Sequence, residues 1–177
     1  MEIKECIKGR RSVRKYEYEK IEQEVIESMV KAGQYAPSWK NSQTPRYYAA
    51  ITEEAIESVR ACLPGFNAER TEGVGAYIVT TAKKGLSGCN ADGEYFSHLG
   101  NGYECFDNGL AVENMLLYAH SIGYSTLIMG LFDEAGLRQL LDVPSDEDIV
   151  VVIAVGRRDI DPQRPERKAT ESVLKIF

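Results

Sequence analysis

The chain has 177 residues, 44% hydrophobic and 27% charged, which suits one domain with a real core and excludes a disordered chain. Its formal net charge of −6 argues against general binding to nucleic acid or to an anionic membrane. The charge is uneven: residues 1–20 carry a net +3, residues 21–156 a net −11 and residues 157–177 a net +2, so the basic charge sits at the two chain ends.

Taken in chain order, residues 2–9 are predicted to form a short helix with Ile3 and Ile7 on one face. From Tyr18 to Gln34 a helical stripe of Ile21, Val25, Ile26, Met29 and Val30 is ended by Gly33 and Pro37. Residues 46–52 read as a strand, Glu53 to Leu63 as an amphipathic helix stopped by the Pro64–Gly65 pair, and residues 75–82 as a second strand. Lys83 to Gly102 reads as a long loop, a length usually kept for function. Phe106 to Ile122 is predicted as a long helix, apolar over more than one face and so suited to the interior or to a subunit interface. A third strand at Tyr124–Met129, a helix from Asp133 to Leu141 with Asp133 as its N-cap, and a doubly buried strand at Ile149–Val155 follow. The tail from Arg157 to Lys168 is polar, with Pro162 and Pro165, and residues 171–177 are predicted as a last strand. This order gives the α+β class rather than a regular βαβ repeat.

Several chemistries lack their residues. No GxGxxG follows a strand, and there is no GxSxG, HExxH or P-loop signature. Cys6, Cys62, Cys89 and Cys105 form no CxxC pair, and the only histidines are His98 and His120. A catalytic triad, a protein-bound metal and a disulfide framework are therefore not expected. The longest apolar runs are far short of a membrane span and no signal peptide is visible, so a cytoplasmic location is expected.

Four segments concentrate polar chemistry. In Gly9–Tyr16, GRRSVRKY, three guanidiniums and a hydroxyl lie within five residues. In extended backbone Arg10, Ser12 and Arg14 share one face, a set able to bind phosphate through charge-assisted bonds; a solvated basic turn fits the same charges. In Ala36–Pro45, APSWKNSQTP, the side chains of Ser38, Asn41 and Gln43 can match the edge of a heteroaromatic ring, or cap a loop between helix and strand. Trp39, the sole tryptophan, is a packing or stacking residue there. Leu127–Leu131, LIMGL, places Gly130 at a strand end, where backbone can approach a ligand or simply turn. Arg164–Lys168, RPERK, is basic and taken by itself reads as a surface tail rather than a ligand site.

In this order the segments resemble the nitroreductase family of FMN-dependent oxidoreductases across nearly the whole chain. GRRSVRKY is similar to the family's R-R-S-x-R-x-[FY] opening and APSWKNSQTP to its P-S-x-x-N-x-Q-P loop, with Thr44 interrupting the Gln–Pro pair. Phe66–Asn67 before GAYIVTTAK, the helix FDNGLAVENMLLYAHSIGYST, the run from Gly130 to Gly156 and RKATESVLKIF complete the series. The resemblance implies a single nitroreductase-like domain over residues 1–177, with a central mixed, mainly antiparallel sheet surrounded by helices, and residues 157–177 as a tail contacting FMN and the partner subunit. It implies a homodimer with FMN at the subunit interface and NADH or NADPH as electron donor. Nitroaromatic, quinone or related electron-poor acceptors would be reduced by a ping-pong hydride transfer at flavin N5. Reductive dehalogenation, flavin breakdown, ring dehydrogenation and a flavin-binding module without turnover are the alternatives on this fold.

The resemblance also implies residue roles. Arg10 with Arg167 or Lys168 would neutralise the FMN phosphate, and Arg11 and Ser12 would contact ribityl and phosphate groups. Arg14 would support the reduced flavin at its pyrimidine edge, and Asn67 would bond the pyrimidine. Ser38, Asn41 and Gln43 would come from the other subunit, and the backbone at Met129 and Gly130 would approach the ring. No side chain is expected to act as acid or base. Tyr95, Phe96 and Tyr103 are candidates for lining the substrate pocket.

Overall fold

Residues 2–177 are described by the structure, a computed structural model. Four strands, β1 (Pro45–Ala50), β2 (Ala76–Lys83), β3 (Ser125–Met129) and β4 (Glu147–Gly156), form one sheet in the order β1-β2-β4-β3, every neighbouring pair antiparallel. A parallel bridge between Ser12 and Thr126 adds the N-terminal segment at the β3 edge and makes the sheet mixed there. Among the described residues six α-helices surround it: α1 (Ile3–Gly9), α2 (Gln23–Gln34), α3 (Glu53–Ala61), α4 (Gly65–Arg70), α5 (Gly102–Ser121) and α6 (Glu134–Leu140). None of them is long and apolar enough to cross a membrane.

The period of two along the strands sorts the core into two layers. Tyr77, Val79, Val152 and Ala154 face one side, where they meet Val59 of α3 and Leu137 of α6. Ile78, Ile153 and Val155 face the other, against Ile26 and Met29 of α2 and Val112, Met115 and Leu116 of α5. With both faces covered, β2 and β4 must be apolar almost throughout, which is why they read as continuous Val/Ile-rich runs. Each such fully buried side chain contributes roughly 1.5–3 kcal/mol over leaving it exposed.

The structure corrects three expectations. Residues 18–22 are not helical: α2 begins at Gln23, and Ile21 reaches the core from an extended lead-in tied to Arg157 and, through the Tyr18 hydroxyl, to Glu72. The Pro64–Gly65 pair both ends α3 and opens α4, because Pro64 at φ −61° presents its carbonyl to the N–H groups of Asn67 and Ala68. Residues 171–177 form no strand. A 3₁₀ turn at Thr170–Ser172 is followed by exposed coil that pairs with no strand among the described residues, although the outer edge of β1 carries no partner there.

Candidate functional site

Gly9 brings the head of the chain into place. A Cβ there would stand 2.5 Å from His120 Nε2, so glycine lets the end of α1 rest on the last turn of α5. Arg11 Nη1 then caps α1 by donating to the carbonyls of Lys8 (2.5 Å) and Arg10 (2.9 Å). The chain runs on beside β3, with the Val13 N–H donating to Thr126 O at 3.0 Å and Val13 and Tyr16 in the core. That register leaves Ser12 and Arg14 on the outer side. The tail returns along the same segment, with Arg158 bridging Tyr16 and the Asp159 N–H donating to Lys15 O.

Head and tail together enclose a cavity of about 350 Å³, lined by Arg10, Arg11, Ser12, Arg14, Gln163 and Arg167 among others. Lys168 is exposed and does not line it. The Nε atoms of Arg10 and Arg11 are buried without a hydrogen-bond partner, and Arg10 only nears Glu113 Oε1 at 3.5 Å. Four guanidiniums around one hollow, two of them with an Nε that has no hydrogen-bond partner, make it a candidate anion site. His120 lies next to it. Burial holds its imidazole below the ordinary histidine range, helped by the charges of Arg158, Arg10 and Arg11.

Arg14 also lines a second cavity of about 610 Å³ whose wall includes Tyr16, Tyr18 and Glu69 of α4. On the same helix the buried Asn67 donates its amide to the Leu131 carbonyl at 3.4 Å, so α4 leans on the turn after β3. The Met129 side chain is in the core, and Gly130 is exposed with nothing within 4 Å of a Cβ placed there. What this turn can offer a ligand is backbone.

The third cluster lies elsewhere in the chain. Trp39–Asn41 is a 3₁₀ turn, and Lys40, Asn41 and Gln43 all have positive φ (47°, 56° and 50°). Left-handed non-glycine residues cost on the order of 1 kcal/mol each and cluster at functional sites. The loop is held by several bonds: the Gln43 N–H donates to Ser38 Oγ (3.0 Å), Arg46 Nη1 donates to the carbonyls of Gln43 (2.7 Å) and Pro45 (2.9 Å), and the Trp39 N–H donates to Asp107 Oδ2 (3.0 Å). Ser38 and Gln43, but not Asn41, line a cavity of about 580 Å³ with Arg46, Tyr47 and Asp107. It shares no lining residue with the head–tail cavity.

Phe96 of the long loop and Tyr103, which lies in the first turn of α5 because that helix begins at Gly102 rather than at Phe106, meet this cluster. Trp39 packs on Tyr103 (ring centroids 4.5 Å apart) and Phe96 (5.8 Å), and Lys40 Nζ stands 5.4 Å from the Phe96 centroid. Tyr95 instead donates its hydroxyl to Glu104 at 2.8 Å; burial and this bond push its pKa up to about 12, which keeps it a donor.

Sequence reasoning missed Glu104, Asp107 and Asn108, all buried in the first two turns of α5. Glu104 accepts from the Gly85 N–H, and Asn108 bonds Thr80 and Thr81 where β2 bulges against β4. The signal was present: positions 104, 107, 108, 111, 112 and 115 fall on one helical stripe, so these polar groups occupy the core face.

Comparison with known proteins identifies the fold and the family. The chain matches the Nitroreductase family over residues 7–87 and 89–157. A Methanothermobacter thermautotrophicus protein named "Putative NADH dehydrogenase/NAD(P)H nitroreductase" is 26% identical over 160 residues, covering 88% of this chain and 77% of the relative. The crystal structure of a nitroreductase family protein from Streptococcus pneumoniae TIGR4 superposes with a TM-score of 0.87 at 17% identity, over 99% of this chain and 100% of that one. One described as a putative nitroreductase in complex with FMN, from Exiguobacterium sibiricum 255-15, gives 0.85 at 19% identity over 100% and 98%. The two structures establish the shared fold. With the family match running from α1 to the end of β4, the chain belongs to the nitroreductase family.

Proposed function

We propose that this protein is an FMN-dependent oxidoreductase that takes electrons from NADH or NADPH and reduces nitroaromatic, quinone or related electron-poor acceptors in a ping-pong cycle. The observation that carries it is the head–tail cavity, where Arg10, Arg11, Arg14 and Arg167 surround one hollow and two guanidinium Nε atoms are buried without hydrogen-bond partners. Those residues fit a phosphate-bearing cofactor. The names of the archaeal relative and of the FMN complex from Exiguobacterium sibiricum point the same way.

Arg10, Arg11 and Arg167 would hold the phosphate, and Ser12 would donate or accept beside it. Arg14, between the head–tail cavity and the α4 side, would offset negative charge on the flavin pyrimidine, which Asn67 would bond. Bound FMN supplies hydride acceptance and donation at N5 for donor and acceptor in turn. Ser38, Asn41 and Gln43 lie in a separate cluster, which suits a contribution to the cofactor of a second copy across a homodimer interface. The exposed Ile3, Ile7, Phe106, Val173, Leu174 and Ile176 supply apolar surface for that interface.

The test is spectroscopic. The purified chain supplied with FMN should show a bound-flavin absorbance band that NADH or NADPH bleaches without oxygen and that an added quinone or nitroaromatic restores. A chain with no flavin band overturns the proposal; a band that neither nicotinamide bleaches leaves a flavin-binding module in its place.

A further inference from the structure

Asp107 is 2% exposed and takes no part in any salt bridge among the described residues. A buried carboxylate without a cation needs hydrogen-bond donors, and here they come from two distant stretches of chain. Its Oδ2 accepts from the Trp39 N–H at 3.0 Å, from Ser87 Oγ at 2.7 Å and, at the 3.5 Å limit, from Ser42 Oγ. The other bonds shaping the 38–43 loop, from Gln43 to Ser38 and from Arg46 to the carbonyls of Gln43 and Pro45, are local. Beside the packing of Trp39 on Tyr103, Asp107 thus supplies the hydrogen bonds that join the loop with its three left-handed residues to α5, and the same oxygen holds Ser87 of the 83–102 segment.

We infer that Asp107 is a positioning residue, whose carboxylate fixes the 38–43 loop in its strained form and ties that loop to the 83–102 segment so that both present to a ligand as one unit. The inference rests on the reading of Ser38, Asn41 and Gln43 as flavin contacts. Its mechanical half stands apart from that reading, because Oδ2 joins the two segments whatever they bind. Charge matters here: hydrogen bonds to an ionised acceptor are about twice as strong as neutral ones, so an amide at 107 restores the shape and only part of the hold.

Trp39 is the sole tryptophan, donates to Asp107 and packs on Tyr103 and Phe96, so its emission reports the loop without any flavin. The experiment compares the full-length wild type with Asp107→Asn, Asp107→Ala and Ser87→Ala. Trp39 emission and acrylamide quenching are read in the flavin-free protein, and FMN affinity by flavin fluorescence titration. Emission should shift to the red and quenching should rise most in Asp107→Ala and less in Asp107→Asn. It should rise also in Ser87→Ala, although the residue changed there bonds Asp107 and not Trp39. FMN affinity should fall by about tenfold in Asp107→Ala, with Asp107→Asn in between. If Asp107→Ala does not fold, Asp107→Asn and Ser87→Ala carry the same comparison. Unchanged Trp39 quenching in the folded variants overturns the positioning role, and unchanged quenching in Ser87→Ala alone overturns the tie between the segments. A wild type that binds no FMN overturns the flavin reading, while the quenching series still decides the role of Asp107.

Discussion

Arg10 and Arg14 stand four residues apart on one extended segment, yet their surroundings assign them different work. Arg10 lines the head–tail cavity and has a buried Nε with no hydrogen-bond partner, 3.5 Å from Glu113, whereas Arg14 is exposed and reaches the α4 side as well. Arg10→Ala is therefore expected to weaken FMN binding by about tenfold or more, the loss of one charge-assisted anchor. Arg14→Ala is expected to slow anaerobic flavin reduction more than it weakens binding. Titration and stopped-flow bleaching separate the two, and equal effects of both changes on both quantities would refute the division. His120 adds a pH dependence. Its folded pKa is held below the ordinary 6.5, first by burial and then by Arg158, Arg10 and Arg11. As pH falls through 6.5 the unfolded chain takes up the proton first, so this contribution is present above that pH and lost as pH falls toward the folded value. Urea midpoints measured at about pH 8 and about pH 5.5 should drop less in His120→Gln than in the wild type, and added phosphate should narrow the difference. Identical drops would show that His120 is not the titrating group.

At the scale of elements, what could be read in the sequence was what period and caps determine. The continuous β-branched runs of β2 and β4, the stripe of α2 from Ile26 onward and the Asp133 cap all follow from local chemistry. Asp133 accepts from the Gly136 N–H at 3.1 Å, so Asp133→Ala should cost about 1 kcal/mol in urea denaturation. What could not be read depended on partners far along the chain. The helical stripe cannot show that Ile21 is drawn into the core from outside the helix, and the apolar residues of the tail cannot show that it leaves the body of its own chain unpaired. The stripe through positions 104, 107 and 108 marks these polar side chains as core-facing, but which loops donate to them depends on residues far along the chain. The head–tail cavity was foreshadowed by motif order alone, since residues 10–14 and 163–167 meet only through the sheet edge. Gly109 is legible in the opposite sense. It sits inside α5, exposed, with nothing within 4 Å of a Cβ, so this chain alone gives no reason for a residue that costs a helix about 1 kcal/mol. If a second copy packs closely on that face, Gly109→Ala should shift the protein toward monomer in sedimentation; a retained dimer with a higher urea midpoint would take this face out of the interface.

For the molecule as a whole, the uneven charge becomes a statement about geometry. A body of net −11 carries a basic head and a basic tail, and the fold brings Arg10, Arg11, Arg14 and Arg167 to one hollow beside β3. The body gains little from the last residues: from Ala169 onward every residue is exposed, and the described backbone bonds there are local to the 3₁₀ turn. Their apolar side chains, Val173, Leu174 and Ile176, face solvent in the single chain and so gain burial only against something else. Two truncations separate the functions joined in this tail. Removing residues 169–177 leaves Arg167 in the cavity, so FMN phosphate anchoring should largely persist while a dimer held by the tail weakens. Removing residues 164–177 takes Arg167 and Pro165 as well, and FMN affinity should fall by a further factor of about ten. The urea midpoint of the flavin-free monomer should hardly move in either case, because no buried residue is lost. Sedimentation, flavin titration and denaturation on the same two proteins read these outcomes independently. If both truncations lost FMN equally, the anchoring would belong to the apolar end rather than to Arg167; if neither did, the head alone would hold the phosphate and the convergence of the two chain ends would serve only the fold.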